Sequence, residues 1–152
     1  MISVSNLSKN YGNVKAVDSI SFDLKDGEVV GFLGANGAGK TTTLKMITGY
    51  LVPTNGEIKV NGLDIVDNTS EIQEMIGYLP ELNPLYTEMR VYDYLEFLGS
   101  IRNIKGPDFK QALSRVVDKC GLSGVVHKVI ADCSKGYKQR IGLAAAMIHD
   151  PK

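Results

Sequence analysis

Apolar and polar residues alternate along residues 2–7 (ISVSNL) and again along residues 20–24 (ISFDL). That is the two-residue period of a strand with one face buried. Between them, residues 8–13 (SKNYGN) are rich in turn formers and read as a loop carrying one aromatic, Tyr11. Asp26-Gly27 then reads as the turn of a hairpin leading into residues 29–33 (VVGFL). This unbroken apolar run, rich in β-branched and aromatic residues, predicts a buried strand. Helical spacing follows, with Leu44, Met46 and Ile47 on or near one face. Residues 57–60 (EIKV) form another alternating strand, ended by Asn61-Gly62. A short helix over residues 70–75 precedes a strand over residues 76–81 that stops at Pro80.

Beyond Glu81 the strand signals vanish. Residues 91–101 and 109–117 both carry apolar side chains at helical spacing, the second introduced by Pro107-Asp108 and closed by Gly121 as a C′ residue. Residues 84–131 therefore read as a helical unit inserted into an α/β core. A last helix starts at Ser134 and is halted by Asp150-Pro151. The chain shows no internal repeat and no low-complexity segment.

Composition narrows the class. The chain has 152 residues, enough for a real core, and equal numbers of basic and acidic residues, 17 of each. No overall field draws it to nucleic acid or to an anionic membrane, and no nucleic-acid partner is expected. No apolar run approaches the roughly 20 residues of a membrane-spanning helix, and no signal peptide is visible at the start. Cys120 and Cys133 lack metal-ligand spacing and read as unpaired thiols of a reducing, cytoplasmic compartment.

The chemistry lies first in residues 34–41 (GANGAGKT), which match G-x-x-x-x-G-K-[ST] between the apolar run and a helix. Glycines let the backbone turn with positive φ and approach a ligand closely. The amides of residues 36–41, Asn36, Gly37, Ala38, Gly39, Lys40 and Thr41, can then converge on a phosphate as an anion-binding nest. The helix start adds the positive end of its dipole. Lys40 is placed to bridge β- and γ-phosphate oxygens and Thr41 to ligate Mg²⁺, with Thr42 following in the same turn. Three further features stand out. Tyr11, ahead of this loop, can stack on a base or simply pack. Ser134, starting the last helix, caps it; with Gly136 it also offers a hydroxyl, exposed amides and a dipole end to an anion. Glu81 lies just past a strand, where α/β sheets hold ligands; a solvated loop carboxylate reads equally well there.

Taken together, these residues resemble the ATP-binding subunits of ABC transporters along the whole chain. Tyr11 matches the family's adenine-stacking loop and residues 34–41 its Walker A motif. Glu81 sits where the family usually has the Gln of its Q-loop, and residues 134–137 match the LSGGQ signature, followed by Gln139-Arg140. Cys133, Lys135 and Tyr137 depart from the signature's Leu, first Gly and Gln, while the serine and second glycine are kept. The Lys-Gly-Tyr form and the Glu at the Q-loop look like the subgroup serving exporters with separate membrane subunits. Residues 76–86 (IGYLPELNPLY) are similar to subunits associated with bacterial gliding motility.

The resemblance implies an α/β fold: a P-loop NTPase three-layer core of ABC type, with an N-terminal antiparallel β subdomain and an inserted helical subdomain, incomplete at the C-terminus. The nucleotide-binding core would span residues 1–83, the helical subdomain 84–133 and the signature helix 134–152. It implies ATP and Mg²⁺, the metal on Thr41 and Glu81, and Lys40 as the catalytic cation. It also implies two partners: a second ATP-binding subunit, identical or not, closing head to tail, and transmembrane permease subunits on the inner face of the membrane. Docking would use Glu81, residues 84–86 and the Tyr92–Tyr94 region, although ordinary helix packing accounts for the two helical tyrosines as well.

The family's next elements, the Walker B strand with its Mg²⁺-binding Asp, the catalytic Glu and a γ-phosphate-sensing His, would follow Lys152; neither His127 nor His149 stands in that role. The chain therefore reads as the first two-thirds of a subunit, with residues 29–33 left bare and unpaired. Rival readings are a non-transport ABC-type ATPase of translation or DNA repair, a non-enzymatic binding module, and a small-molecule kinase or GTPase. Residues 134–140 have no place in the last. The chain is expected to bind nucleotide without turning it over, because nothing in it orients the attacking water. A steady-state phosphate-release assay showing ordinary family turnover would contradict this.

Overall fold

The computed structural model describes residues 1–152, arranged as two compact units, Met1–Ile76 and Gly77–Lys152. The first is built on one antiparallel sheet of four strands. β1 (Ile2–Tyr11), β2 (Val14–Leu24), β3 (Asn55–Val60) and β4 (Leu63–Asp64) lie in the order β2-β1-β3-β4. Gly12, in the left-handed region at φ +57°, turns the β1–β2 hairpin so that Tyr11 pairs with Val14. Asn61 and Gly62, both at positive φ, close the β3–β4 hairpin, the geometry an Asn-Gly pair favours.

The β1–β2 register shifts in the middle of the hairpin. There Asn6 and Ser19 take positive φ, and serine hydroxyls accept the amides that the ladder loses. The Asn6 N–H donates to Ser21 Oγ at 2.8 Å and the Ser19 N–H to Ser8 Oγ at 2.9 Å. Val4, Leu7, Ile58 and Val60 from the sheet are buried with Met46 and Ile47 of α1 (Lys40–Ile47) and Ile72 of α2 (Thr69–Met75).

The second unit is helical: α3 (Val91–Ile101), α4 (Gly106–Cys120) and α5 (Lys135–Met147), with a 3₁₀ turn at Ile130–Asp132. Leu95, Val116, Leu122, Ile130, Ile141 and Ile148 are fully or almost fully buried in one core. Gly121 ends α4 in the left-handed conformation, as its place after the apolar stripe predicts. Cys120 and Cys133 are both free and buried. Burial pushes the Cys120 thiol above its ordinary pKa, with Arg140 and Lys119 pulling the other way.

Several expectations are corrected. Residues 29–33 do not form a buried strand, although they do lie bare and unpaired as expected: Val29 is 101% exposed and Leu33 92%. No strand pairs with this run; the Phe32 ring lies by that of Phe22, 5.9 Å between centroids. A buried strand needs a hydrogen-bonding partner on the sheet, and an apolar sequence cannot supply one. Asp26-Gly27 consequently makes a turn, with the Glu28 N–H donating to Lys25 O at 3.3 Å, but no hairpin follows. Residues 76–80 are likewise outside any strand. Conversely, residues 8–11, read as loop, belong to β1, because pairing with β2 outweighs their turn-forming preference.

Gly56 and Gly62 separate two effects of adding a Cβ. Both have strongly positive φ; at Gly56 the added atom would lie 2.4 Å from Asn6 O, whereas at Gly62 it meets open space. Gly62→Ala is expected to cost about 1–2 kcal/mol in a urea titration, the left-handed backbone alone. Gly56→Ala should cost clearly more, because β1 must move away from β3.

Candidate functional site

The phosphate-binding motif lies in the first unit. Residues 34–38 form an exposed loop that runs into α1 through Gly39. Gly39 is left-handed, φ +83°, and a Cβ there would sit 2.3 Å from Ala16 O and 3.0 Å from Val17 Cγ2. The loop therefore reaches α1 by pressing bare backbone against β2, which only glycine permits. Gly37 also has positive φ, +85°, but faces open space, so its requirement is conformational alone.

Lys40 is the first residue of α1, and its side chain folds back over the loop. Its Nζ donates to Gly34 O at 2.6 Å and to Ala35 O at 2.7 Å. A positive charge is thus held at the loop by the loop's own carbonyls. Within the loop the Ala38 N–H donates to Ala35 O at 3.1 Å, so this amide, expected to face a phosphate, is engaged internally. The first-turn amides of Lys40 and Thr41 have no acceptor within α1 and remain for a ligand. Thr41 is exposed, Thr42 half-buried and Thr43 buried; the Thr43 hydroxyl donates to Gly39 O at 3.0 Å and anchors the turn from below. Tyr11 stands at the hairpin end, 51% exposed.

Ser134, Lys135, Gly136 and Tyr137 come together in the second unit at the start of α5. Ser134 is the N-cap, its hydroxyl accepting the Tyr137 N–H at 3.3 Å. Its carbonyl takes the Lys138 N–H at 2.9 Å, and the Lys138 ammonium donates to Ala131 O at 2.9 Å. Ser134, Lys135 and Gly136 are exposed, and the Arg140 guanidinium lies over the Tyr137 ring at 5.5 Å. The tip thus presents first-turn amides, a hydroxyl and two cations to solvent.

Glu81 belongs to the second unit and is exposed. No group of three or more His, Cys, Asp or Glu side chains capable of holding a metal occurs in the chain. Of the residues expected to dock a partner, or next to them in sequence, Tyr94 is buried and Tyr92 packs edge-on against Phe109 at 5.7 Å, whereas Leu82 and Tyr86 are exposed. His127 is exposed and His149 half-buried.

Sequence reasoning passed over Asn83. Its Nδ2 donates to Lys138 O at 3.3 Å, tying the segment that carries Glu81 to α5. Gly142 makes the space, since a Cβ there would lie 1.7 Å from Asn83 Nδ2. A glycine in the middle of a helix was the available signal.

Residues 17–152 match the model of the ABC transporter family, and the chain belongs to that family. It is 39% identical over its full length to the uncharacterized ABC transporter ATP-binding protein YxlF of Bacillus subtilis, of which it covers 50%. It is 36% identical to the bacitracin transport ATP-binding protein BcrA of Bacillus licheniformis, covering all of this chain and 49% of that protein. Among solved structures, CbiO1 of Clostridium perfringens, part of the ABC transporter complex CbiONQ, aligns with a TM-score of 0.84 at 27% identity, over 99% of this chain and 62% of that one. The chain thus spans about half the length of the curated relatives it matches.

Because Ser134 caps α5 in the structure, Ser134→Ala should lower the stability of the helical unit by about 1 kcal/mol, read from a urea titration followed by circular dichroism.

Proposed function

We propose that this member of the ABC transporter family supplies the nucleotide-binding part of an ATP-binding subunit, which couples ATP binding and hydrolysis to export through separate membrane subunits. Tyr11 stacks on adenine. Asn36, Gly37, Gly39, Lys40, Thr41 and Thr42 surround the polyphosphate, with Ala38 shaping the loop. The observation that carries the reading is the Lys40 ammonium, held by Gly34 O and Ala35 O at the mouth of a glycine loop at a helix start. An entering triphosphate offers that cation charged oxygens in place of neutral carbonyls, and charge-assisted hydrogen bonds are about twice as strong.

The exposed Thr41 hydroxyl suits Mg²⁺, which takes hard oxygen ligands, often one or two from protein, and completes its shell with phosphates and water. The bound ion would neutralise charge building up on the phosphates. Lys40 does the same from the protein side.

The α5 tip is assigned to the γ-phosphate of a second subunit's nucleotide. Its first-turn amides and Ser134 hydroxyl face solvent, which supports a head-to-tail dimer of identical or related subunits. The exposed Leu82 and Tyr86, on the segment that Asn83 ties to α5, support docking of a permease subunit there. The spans are assigned to those permease subunits, and this subunit to their cytoplasmic side; no helix of the chain is long and apolar enough to cross a membrane. The Lys-Gly-Tyr form of the signature favours an exporter, and residues 76–86 favour the gliding-motility subgroup.

Binding of ATP with Mg²⁺ to the chain, followed by calorimetry, tests the reading. Lys40→Ala removes a charge-assisted contact worth about 1.5–3 kcal/mol and should weaken binding about tenfold to a hundredfold. Equal affinity of wild type and Lys40→Ala for ATP would overturn the assignment.

A further inference from the structure

Lys9 lies outside every motif of the sequence. Its Nζ sits over the ring of Tyr11, 5.6 Å from the centroid, and donates to Val52 O at 2.7 Å. The same strand end is fastened twice more to the residues after α1: the Thr54 N–H donates to Ser8 O at 2.9 Å, and the Asn10 N–H to Thr54 Oγ1 at 3.0 Å. Tyr11 itself packs into neither hydrophobic core and is 51% exposed. The ring therefore stands in solvent, with a pinned cation on one face.

We propose that Lys9 is a positioning residue for the nucleotide base, fixing the Tyr11 ring from behind and leaving its other face as the stacking platform. The inference rests on the reading of Tyr11 as the adenine-stacking residue. Two physical effects act together. An exposed tyrosine moves between rotamers, and binding must immobilise it; a ring already held by a cation loses less freedom. The ammonium also draws on the ring's negative π-face, which suits the opposite face to an electron-rich base. The carbonyl of Val52 matters because it holds the ammonium where the ring needs it. Lys9 thus acts on the base through Tyr11 and makes no contact with the phosphates.

The test compares ATP with inorganic tripolyphosphate, which carries the charge and no base, on wild type, Lys9→Met, Lys9→Arg, Tyr11→Leu and the double variant Lys9→Met/Tyr11→Leu. Lys9→Met should weaken ATP binding about twofold to fivefold, the span of an exposed cation–π contact, and leave tripolyphosphate unchanged. Lys9→Arg should restore ATP affinity, since a guanidinium also sits on aromatic faces. In the Tyr11→Leu background, Lys9→Met should have no further effect. If Lys9→Met does not fold by circular dichroism, Lys9→Gln, which removes the charge but keeps a donor, carries the same comparison.

Equal losses on both ligands would mean that Lys9 acts through the phosphates or the fold, and would overturn the proposal. Loss of ATP affinity in Tyr11→Leu with none in the Lys9 variants would overturn it while leaving the Tyr11 reading intact. Unchanged ATP affinity in Tyr11→Leu would remove that reading and this proposal with it.

Discussion

The contact between Gly39 and the β2 backbone is the constraint on which the glycine loop and the start of α1 depend. With no side chain at that point, the phosphate loop lies directly on Ala16 and Val17, and α1 starts from a fixed place on the hairpin. The same end of the hairpin carries Tyr11, which pairs with Val14, two residues before Ala16. One hairpin therefore sets the distance between the exposed Tyr11 ring and the start of α1. The buried Thr43, Met46 and Ile47 then hold α1 against shifts along its axis. Displacing Gly39 by a methyl group would disturb the loop, the helix start and the site's span together.

The helical unit follows a different rule. Its core is continuous from α3 to α5, and the α5 tip projects from it with first-turn amides that a protein normally caps or hides. The Ser134 hydroxyl satisfies the Tyr137 amide, leaving those of Lys135 and Gly136 to solvent or to a ligand. Lys138, bonded to Ala131 O, and Asn83, bonded to Lys138 O, brace the same turn from two sides. This tip is stiff in its own unit and open outward, a combination suited to recognising something presented by another molecule.

How far the sequence could be read depended on whether a feature is local. Strand alternation at residues 2–7 and 57–60, the Gly121 cap and the Ser134 cap are decided within a few residues, and each was legible. The run at residues 29–33 was legible only in part: its bareness was expected, but the strand that its hydrophobicity suggests needs a neighbour that hydrophobicity does not specify. Residues 8–11 misled in the opposite direction: their composition favours a turn, and pairing across the hairpin decides otherwise. The positive φ at Asn6 and Ser19 left no sequence trace, since ordinary serine hydroxyls supply the compensating acceptors. At the site, the glycine loop and Lys40 were legible as a motif, while Lys9 and Asn83 depend on segments far apart in the chain meeting in space.

The position of Cys133 has a practical consequence. Its buried thiol directly precedes Ser134 and points at Val129 O, 3.6 Å away, beneath the tip of α5. A reagent can reach that sulfur only when the protein opens locally around it. The rate at which the thiol is alkylated is thus a clock for local opening of the tip, native to the chain and needing no engineered label.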